Sequence, residues 1–164
     1  MKNLRFSLLL TAFLCCFTSM ANHRHVHTFK TGWKFTRTDD AAASATTYDD
    51  SRWQSVTVPH DWAIYGPFDA NNDRQQVAIE QDGQKEAMSH AGRTGGLPFV
   101  GPGWYRLQFE APEFTDGRRA TLLFDGAMSH ARVWVNGHEV GYWPYGYNAF
   151  YFDITPYMKA DETN

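Results

Sequence analysis

Apolar and polar residues alternate in a way that sets two faces from Trp104 onward. Tyr105, Leu107 and Phe109 fall on one side of an extended chain, and Trp104, Arg106 and Gln108 on the other. A period of two is the mark of a half-buried strand. Comparable stretches occupy 28–37, 53–58, 120–124, 131–135 and 138–142, and no window repeats apolar residues at the spacing of a long amphipathic helix. Between the last two stretches, Asn136-Gly137 supplies two residues that tolerate positive φ, which predicts a tight type I′ hairpin. Short strands without helices between them predict an all-β fold, an antiparallel sandwich in which each sheet buries one face against the other.

Breaks in the pattern are as informative. Four glycines and two prolines fall within residues 95–103, which forbids a helix and specifies a loop of fixed irregular shape opening directly into the strand at Trp104. Residues 69–93 are polar, and only Val77-Ala78-Ile79 reads as a brief strand, so this segment is expected as a long surface excursion. The chain closes with a strand, a proline-containing turn at Thr155-Pro156-Tyr157, and a polar connector reaching Asn164 where a further strand is expected.

The N-terminus changes the picture of compartment. Lys2 and Arg5 precede an apolar run over 6–17, followed by Ser19-Met20-Ala21. Basic start, apolar middle and small residues at the cleavage positions predict a signal peptide over 1–21, hence a periplasmic or extracellular mature chain. The run is too short to span a membrane. Both cysteines, Cys15 and Cys16, lie inside it, so the domain expected over 22–164 has no disulfide and depends on its core. Loss of Lys2 and Arg5 takes the formal charge from −3 to −5, and the remaining basic residues are scattered except for Arg118-Arg119. A nucleic-acid partner is thereby excluded, since phosphate binding needs a basic patch. Aromatic residues make up 16% of the chain, a content that suits a pleated core and equally sugar stacking. No phosphate-binding loop, zinc-ligand spacing or nucleophile elbow is present, so no cofactor or metal is expected.

Four segments taken in order carry a family resemblance: WQSVTVPHDWAIYGPFD at 53–69, RTGGLPFVGPGWYRLQF at 93–109, LLFDGAMSHARVWVNGHEVG at 122–141 and YGYNAFYFDITPYM at 145–158. From about Gly32 to the end, the chain resembles the N-terminal sugar-binding domain of family 2 glycoside hydrolases of the β-galactosidase type. Phe99 and Pro102 depart from the family's pattern within the glycine loop. The resemblance implies a jelly-roll β-sandwich of the galactose-binding-domain kind, lacking its last strands here. It also implies that the domain is non-catalytic and is followed in relatives by an immunoglobulin-like domain and a barrel carrying two catalytic glutamates. Retaining glycosidases need two carboxyl groups about 5–5.5 Å apart, and no pair in this chain can be assigned those roles. The implied partners are a β-galactoside-containing glycan and the C-terminal domains of the same chain. A free-standing carbohydrate-binding module and a truncated product without a stable fold are the alternatives.

In relatives a loop of this domain helps to shape the sugar pocket, and residues 95–103, with Gly95 and Gly96 at their start, are the matching segment. The rival reading is a turn that serves only to enter the strand. His60 and Asp61 suit hydrogen bonding to sugar hydroxyls and Trp62 suits stacking, against a capped turn with Trp62 in the core. Arg93 is a candidate to reach a sugar or a neighbouring carboxylate, against a solvated surface residue. Asp125-Gly126 reads as a turn, and His23, His25 and His27 as a tail. The cluster from Trp143 to Tyr147 reads as packing, with an aromatic sugar platform as the alternative.

Overall fold

The structure, a computed structural model, describes residues 24–92, 95, 97–111, 117–159 and 162–164. The expected signal peptide, Arg93, Gly96 and His23 lie outside the described residues. Among those described, nine strands form, every pairing is antiparallel, and the only helical segments are 3-10 turns at Ala41–Ser44, Glu80–Asp82 and Thr155–Tyr157. The strands are β1 (Trp33–Thr36), β2 (Gln54–Val56), β3 (Arg74–Val77), β4 (Met88–Ala91), β5 (Trp104–Arg106), β6 (Thr121–Phe124), β7 (Ala131–Val135), β8 (His138–Trp143) and β9 (Phe150–Asp153). They pair as β2-β1-β5, β3-β4, β6-β9 and β7-β8. The class is the all-β sandwich that the alternation predicts.

β1 begins later than the stretch 28–37 because Gly32, immediately before Trp33, sits at φ +83°, outside extended backbone. β5 likewise stops at Arg106, although Glu110 recovers a pairing with Thr163. The closing segment is therefore tied in: Phe109 and Asn164 exchange backbone hydrogen bonds of 3.0 and 2.8 Å. Asn136 at the tip of the β7-β8 hairpin donates to Tyr157 O at 2.7 Å and to Asn164 Oδ1 at 2.8 Å. Asn136 and Gly137 take φ of 52° and 83°, the two positive values a type I′ turn demands.

The surface excursion expected over 69–93 carries two strands where one brief strand, Val77-Ala78-Ile79, is expected. β3 and β4 form a hairpin in which Arg74 pairs with Ala91 and Val77 with Met88. Its residues are mostly exposed, so no buried face announces it in the sequence. Polar bonds hold its register instead: Arg74 donates to Ser89 Oγ at 3.1 Å and Ser89 O at 2.9 Å, and Gln75 donates to Ala91 O at 3.3 Å.

The core is small and aromatic. Phe35, Ala43, Val56, Val135, Phe150 and Ile154 are buried. Trp104 of β5 lies 4.9 Å from Trp134 of β7, joining the three-stranded sheet to the hairpin. Phe150 stacks on Phe124 at 4.9 Å and on Trp143 at 5.7 Å, joining β6-β9 to β7-β8. Gly141 makes that joint possible, because a Cβ there would collide with the Phe152 ring. On β5, Arg106 pins the loop 41–50: it donates to Ala43 O at 2.6 Å, Ala45 O at 2.9 Å and Tyr48 O at 3.2 Å, and its Nε lies 3.7 Å from Asp50 Oδ2. Its guanidinium also lies over the rings of Tyr48 and Trp53, at 5.8 and 5.3 Å.

Candidate functional site

β2 leads into the sequence Thr57-Val58-Pro59-His60-Asp61-Trp62, and the chain must turn there because Pro59 cannot donate to a ladder. Val58 N still bonds Lys30 O at 2.9 Å, so the turn begins from a fixed point beside β1. Asp61 Oδ1 then accepts from Ala63 N at 3.0 Å, a local side-chain bond that closes the turn.

The three candidates in this turn part at Trp62. Trp62 packs inward, 5.7 Å from Phe35 and 5.6 Å from Phe99. His60 is half-buried, with Nδ1 2.9 Å from the Tyr105 hydroxyl and its ring edge-on to Phe35 at 5.0 Å. His60 and the exposed Asp61 border a cleft of about 530 Å³. Gln54 and Ser55 of β2 and Thr57 just after it supply polar groups to its wall, and Tyr65, 78% exposed, also lines it. Among the described residues of the lining, Asp61 is the only carboxylate and there is no lysine or arginine. One carboxylate supplies no acid and nucleophile pair within this cleft, and its hydroxyl, amide and imidazole groups are donors and acceptors of the kind that a neutral polyol uses.

The glycine loop lies on the other side of Trp62. Phe99 contacts Trp62, and the Arg37 guanidinium lies 5.2 Å from the Phe99 ring centre. A Cβ on Gly101 would sit 2.8 Å from the Phe99 ring, and one on Gly103 would sit 3.0 Å from Phe35, so both positions are glycine because aromatic rings approach the backbone. Leu97 O accepts from Asp69 N and from Asn72 Nδ2, each at 3.0 Å, which anchors the loop to the preceding turn. Gly95 stands exposed at φ +79°, bonded to Gly92 O at 3.0 Å, and is not among the residues lining the cleft.

Tyr105 is the site residue that the sequence reading missed. Burial pushes its phenol up to about 12, and the negative charge of Asp61 adds to the shift. Its strand position is legible, but its partner lies 45 residues earlier, and no local pattern announces a contact of that range. Ser55 and Thr57 share one face of the stretch 53–58 by alternation, while Gln54 falls on the face of Val56 and Val58. Among the described residues no group of three or more His, Cys, Asp or Glu is placed to hold a metal ion.

Residues 26–164 match the family described as Glycosyl hydrolases family 2, sugar binding domain. A β-galactosidase of Bacteroides ovatus is 33% identical over 150 residues, covering 92% of this chain and 16% of that protein. The crystal structure of a glycosyl hydrolase family 2 member from Bacteroides cellulosilyticus superposes with a TM-score of 0.65 at 33% identity, over 84% of this chain and 16% of the other. The Bacteroides uniformis β-glucuronidase gives 0.63 at 28% identity, over 86% and 14%. The chain thus spans about a sixth of the length of the relatives it matches.

Proposed function

The chain belongs to family 2 of the glycosyl hydrolases, in the part occupied by their sugar-binding domain, and on that premise we propose that it serves as the non-catalytic N-terminal domain of an exported glycosidase acting on terminal β-galactosides. Residues 1–21 direct export to the periplasm or beyond, and 22–164 form the domain. The carboxyl pair that cleaves the bond belongs to a barrel elsewhere in the enzyme. Within this domain His60 and Asp61 bond sugar hydroxyls and Trp62 braces their turn against Phe35 and Phe99, while Gly95 and Gly96 open the loop that extends toward the enzyme's sugar pocket and Arg93 reaches a sugar or a carboxylate of the neighbouring domain.

The observation that carries this reading is the composition of the cleft. Among the described residues its polar wall is hydroxyl, amide and imidazole, with one carboxylate and no cation. A neutral hexoside finds donors and acceptors there, whereas the carboxylate of a uronic acid meets Asp61 with no positive group in the lining to offset it. That balance favours galactosides over glucuronides, although relatives of both names exist.

Amide-resolved NMR titration of the chain with methyl β-galactoside and methyl β-glucuronide tests this. Shifts at His60, Asp61 and Ala63 with the galactoside, weaker with the glucuronide, are expected. Tighter binding of the glucuronide would overturn the galactoside assignment, and shifts confined to a distant face would overturn the cleft.

A further inference from the structure

We propose that Asn136-Gly137, the turn of the β7-β8 hairpin, is a site of spontaneous deamidation that Tyr157 and Asn164 hold shut, and that the modification, once made, unhooks the closing segment from the hairpin.

The chemistry begins with the dipeptide. Glycine has no side chain to crowd its nitrogen, so an Asn-Gly pair is the one in which that nitrogen most readily reaches the asparagine side chain. The Gly137 nitrogen gives its proton to solvent and attacks Cγ of Asn136. The new bond closes a five-membered succinimide as the Cγ–Nδ2 bond breaks, and Nδ2 takes up a proton and leaves as ammonia. Water then opens the ring at one carbonyl or the other, giving aspartate or isoaspartate; the net change is water in and ammonia out.

The fold restrains the leaving group. Asn164 Oδ1 accepts from the backbone N–H of Lys159 at 2.7 Å, and Asn164 Nδ2 donates to the carbonyls of Lys159 and Glu162 at 2.9 and 2.8 Å. These backbone partners have fixed polarity, so the orientation of the Asn164 amide is settled and its Oδ1 is an acceptor. The Asn136 atom 2.8 Å from that oxygen also lies 2.7 Å from the Tyr157 carbonyl oxygen. Facing two acceptors, it has to be Nδ2, with both of its hydrogens engaged. Asn164 is itself anchored by its exchange of backbone bonds with Phe109. Because Nδ2 is the atom expelled, deamidation in the folded chain has to break both side-chain bonds.

Neither product restores them. Aspartate sets a carboxylate, which has no hydrogen to donate, against two acceptor oxygens. Isoaspartate lengthens the backbone by one carbon inside a two-residue turn whose φ values of 52° and 83° suit type I′ geometry, and so disturbs the register of β7 and β8 as well.

Peptide mapping by mass spectrometry, with fragmentation that separates aspartate from isoaspartate, follows residue 136 during incubation at neutral pH. The folded chain, the same chain unfolded in guanidinium chloride, and folded Asn164→Ala are compared. Residue 136 should convert in the unfolded chain, about ten-fold more slowly in the folded one, and at an intermediate rate in Asn164→Ala. In Asn136→Asp, which carries one product from the start, hydrogen exchange at the Lys159 and Asn164 amides should be about ten-fold faster than in the wild type. No conversion at 136 in the unfolded chain, equal rates folded and unfolded, or an Asn164→Ala rate equal to the wild type would overturn the protected site. Unchanged exchange in Asn136→Asp would overturn the unhooking. If either variant fails to fold, the ratio of folded to unfolded rates in the wild-type chain decides the first part, and exchange at the same two amides in wild-type chain aged to conversion decides the second.

Discussion

Replacing Arg106 removes the one side chain that ties β5 to the loop 41–50, and the structure allows the loss to be sized. The guanidinium serves three carbonyls, Ala43, Ala45 and Tyr48, and faces Asp50; its side chain is 16% exposed and that of Asp50 is 17%. A hydrogen bond to a charged group contributes about 1.5–3 kcal/mol. Three such bonds do not add in full, because the freed loop can swing its carbonyls into water and Asp50 keeps its bond from Lys34. Arg106→Met should therefore cost about 3–4 kcal/mol, in the range for breaking a mostly buried charged network. At about 3 °C per kcal/mol for a domain of this size, the midpoint of thermal unfolding falls by about 10 °C. Arg106→Lys keeps the charge but loses the planar fork, and about half the penalty remains. Urea unfolding followed by tryptophan fluorescence measures both, since Trp53 lies beside the guanidinium. Amide exchange over 41–50 should accelerate in the same order. A loss below about 1 kcal/mol in Arg106→Met would refute the argument, because it would mean that water replaces the guanidinium at all three carbonyls without penalty.

Other outcomes follow from the same packing. Phe150→Ala should cost about 3–5 kcal/mol, since the ring is 4% exposed between Phe124, Trp143 and Phe152, whereas Tyr151→Ala, one residue on and 70% exposed, should stay within about 0.5 kcal/mol; the pair of urea midpoints checks both. Tyr105 has a raised pKa in the fold, so the unfolded chain gives up its proton first; the stability it contributes is complete below pH 10 and is lost as pH rises toward about 12. Phenolate absorbance should show one tyrosine titrating late, and a Tyr105→Phe chain should lose less stability across that interval. The chain alone should release no chromophore from an aryl β-galactoside, and turnover abolished by changing an acidic residue within it would contradict the assignment of catalysis to another domain.

What the sequence made legible was local. The β7-β8 hairpin could be read because Asn136-Gly137 encodes its turn within two residues. β5 could be read because glycine and proline end abruptly at an alternating aromatic stretch. His60 and Asp61 could be picked out because they follow a strand and a proline. The β3-β4 hairpin could not, since its register depends on the Arg74 and Gln75 side chains reaching the opposite strand, and polar residues facing water carry no periodic signal. The tie from Tyr105 to His60, and the three carbonyls gathered by Arg106 about 60 residues away, are products of chain folding over long separations. Pattern reading has no access to contacts of that length.

The pairing of β1 with β5 sets a timetable for this chain. Lys34 meets Arg106 across the ladder, 72 residues later, so the first strand has no permanent partner on that side until most of the polypeptide exists. Closing so long a loop costs entropy before any contact repays it, and folding dominated by such contacts is slow. Phe35 stays without Tyr105 through that interval, while the β7-β8 hairpin, local and turn-encoded, can form on its own within microseconds. The β1-β5 ladder therefore waits on a long loop closure that neither the β7-β8 hairpin nor the β3-β4 hairpin has to make.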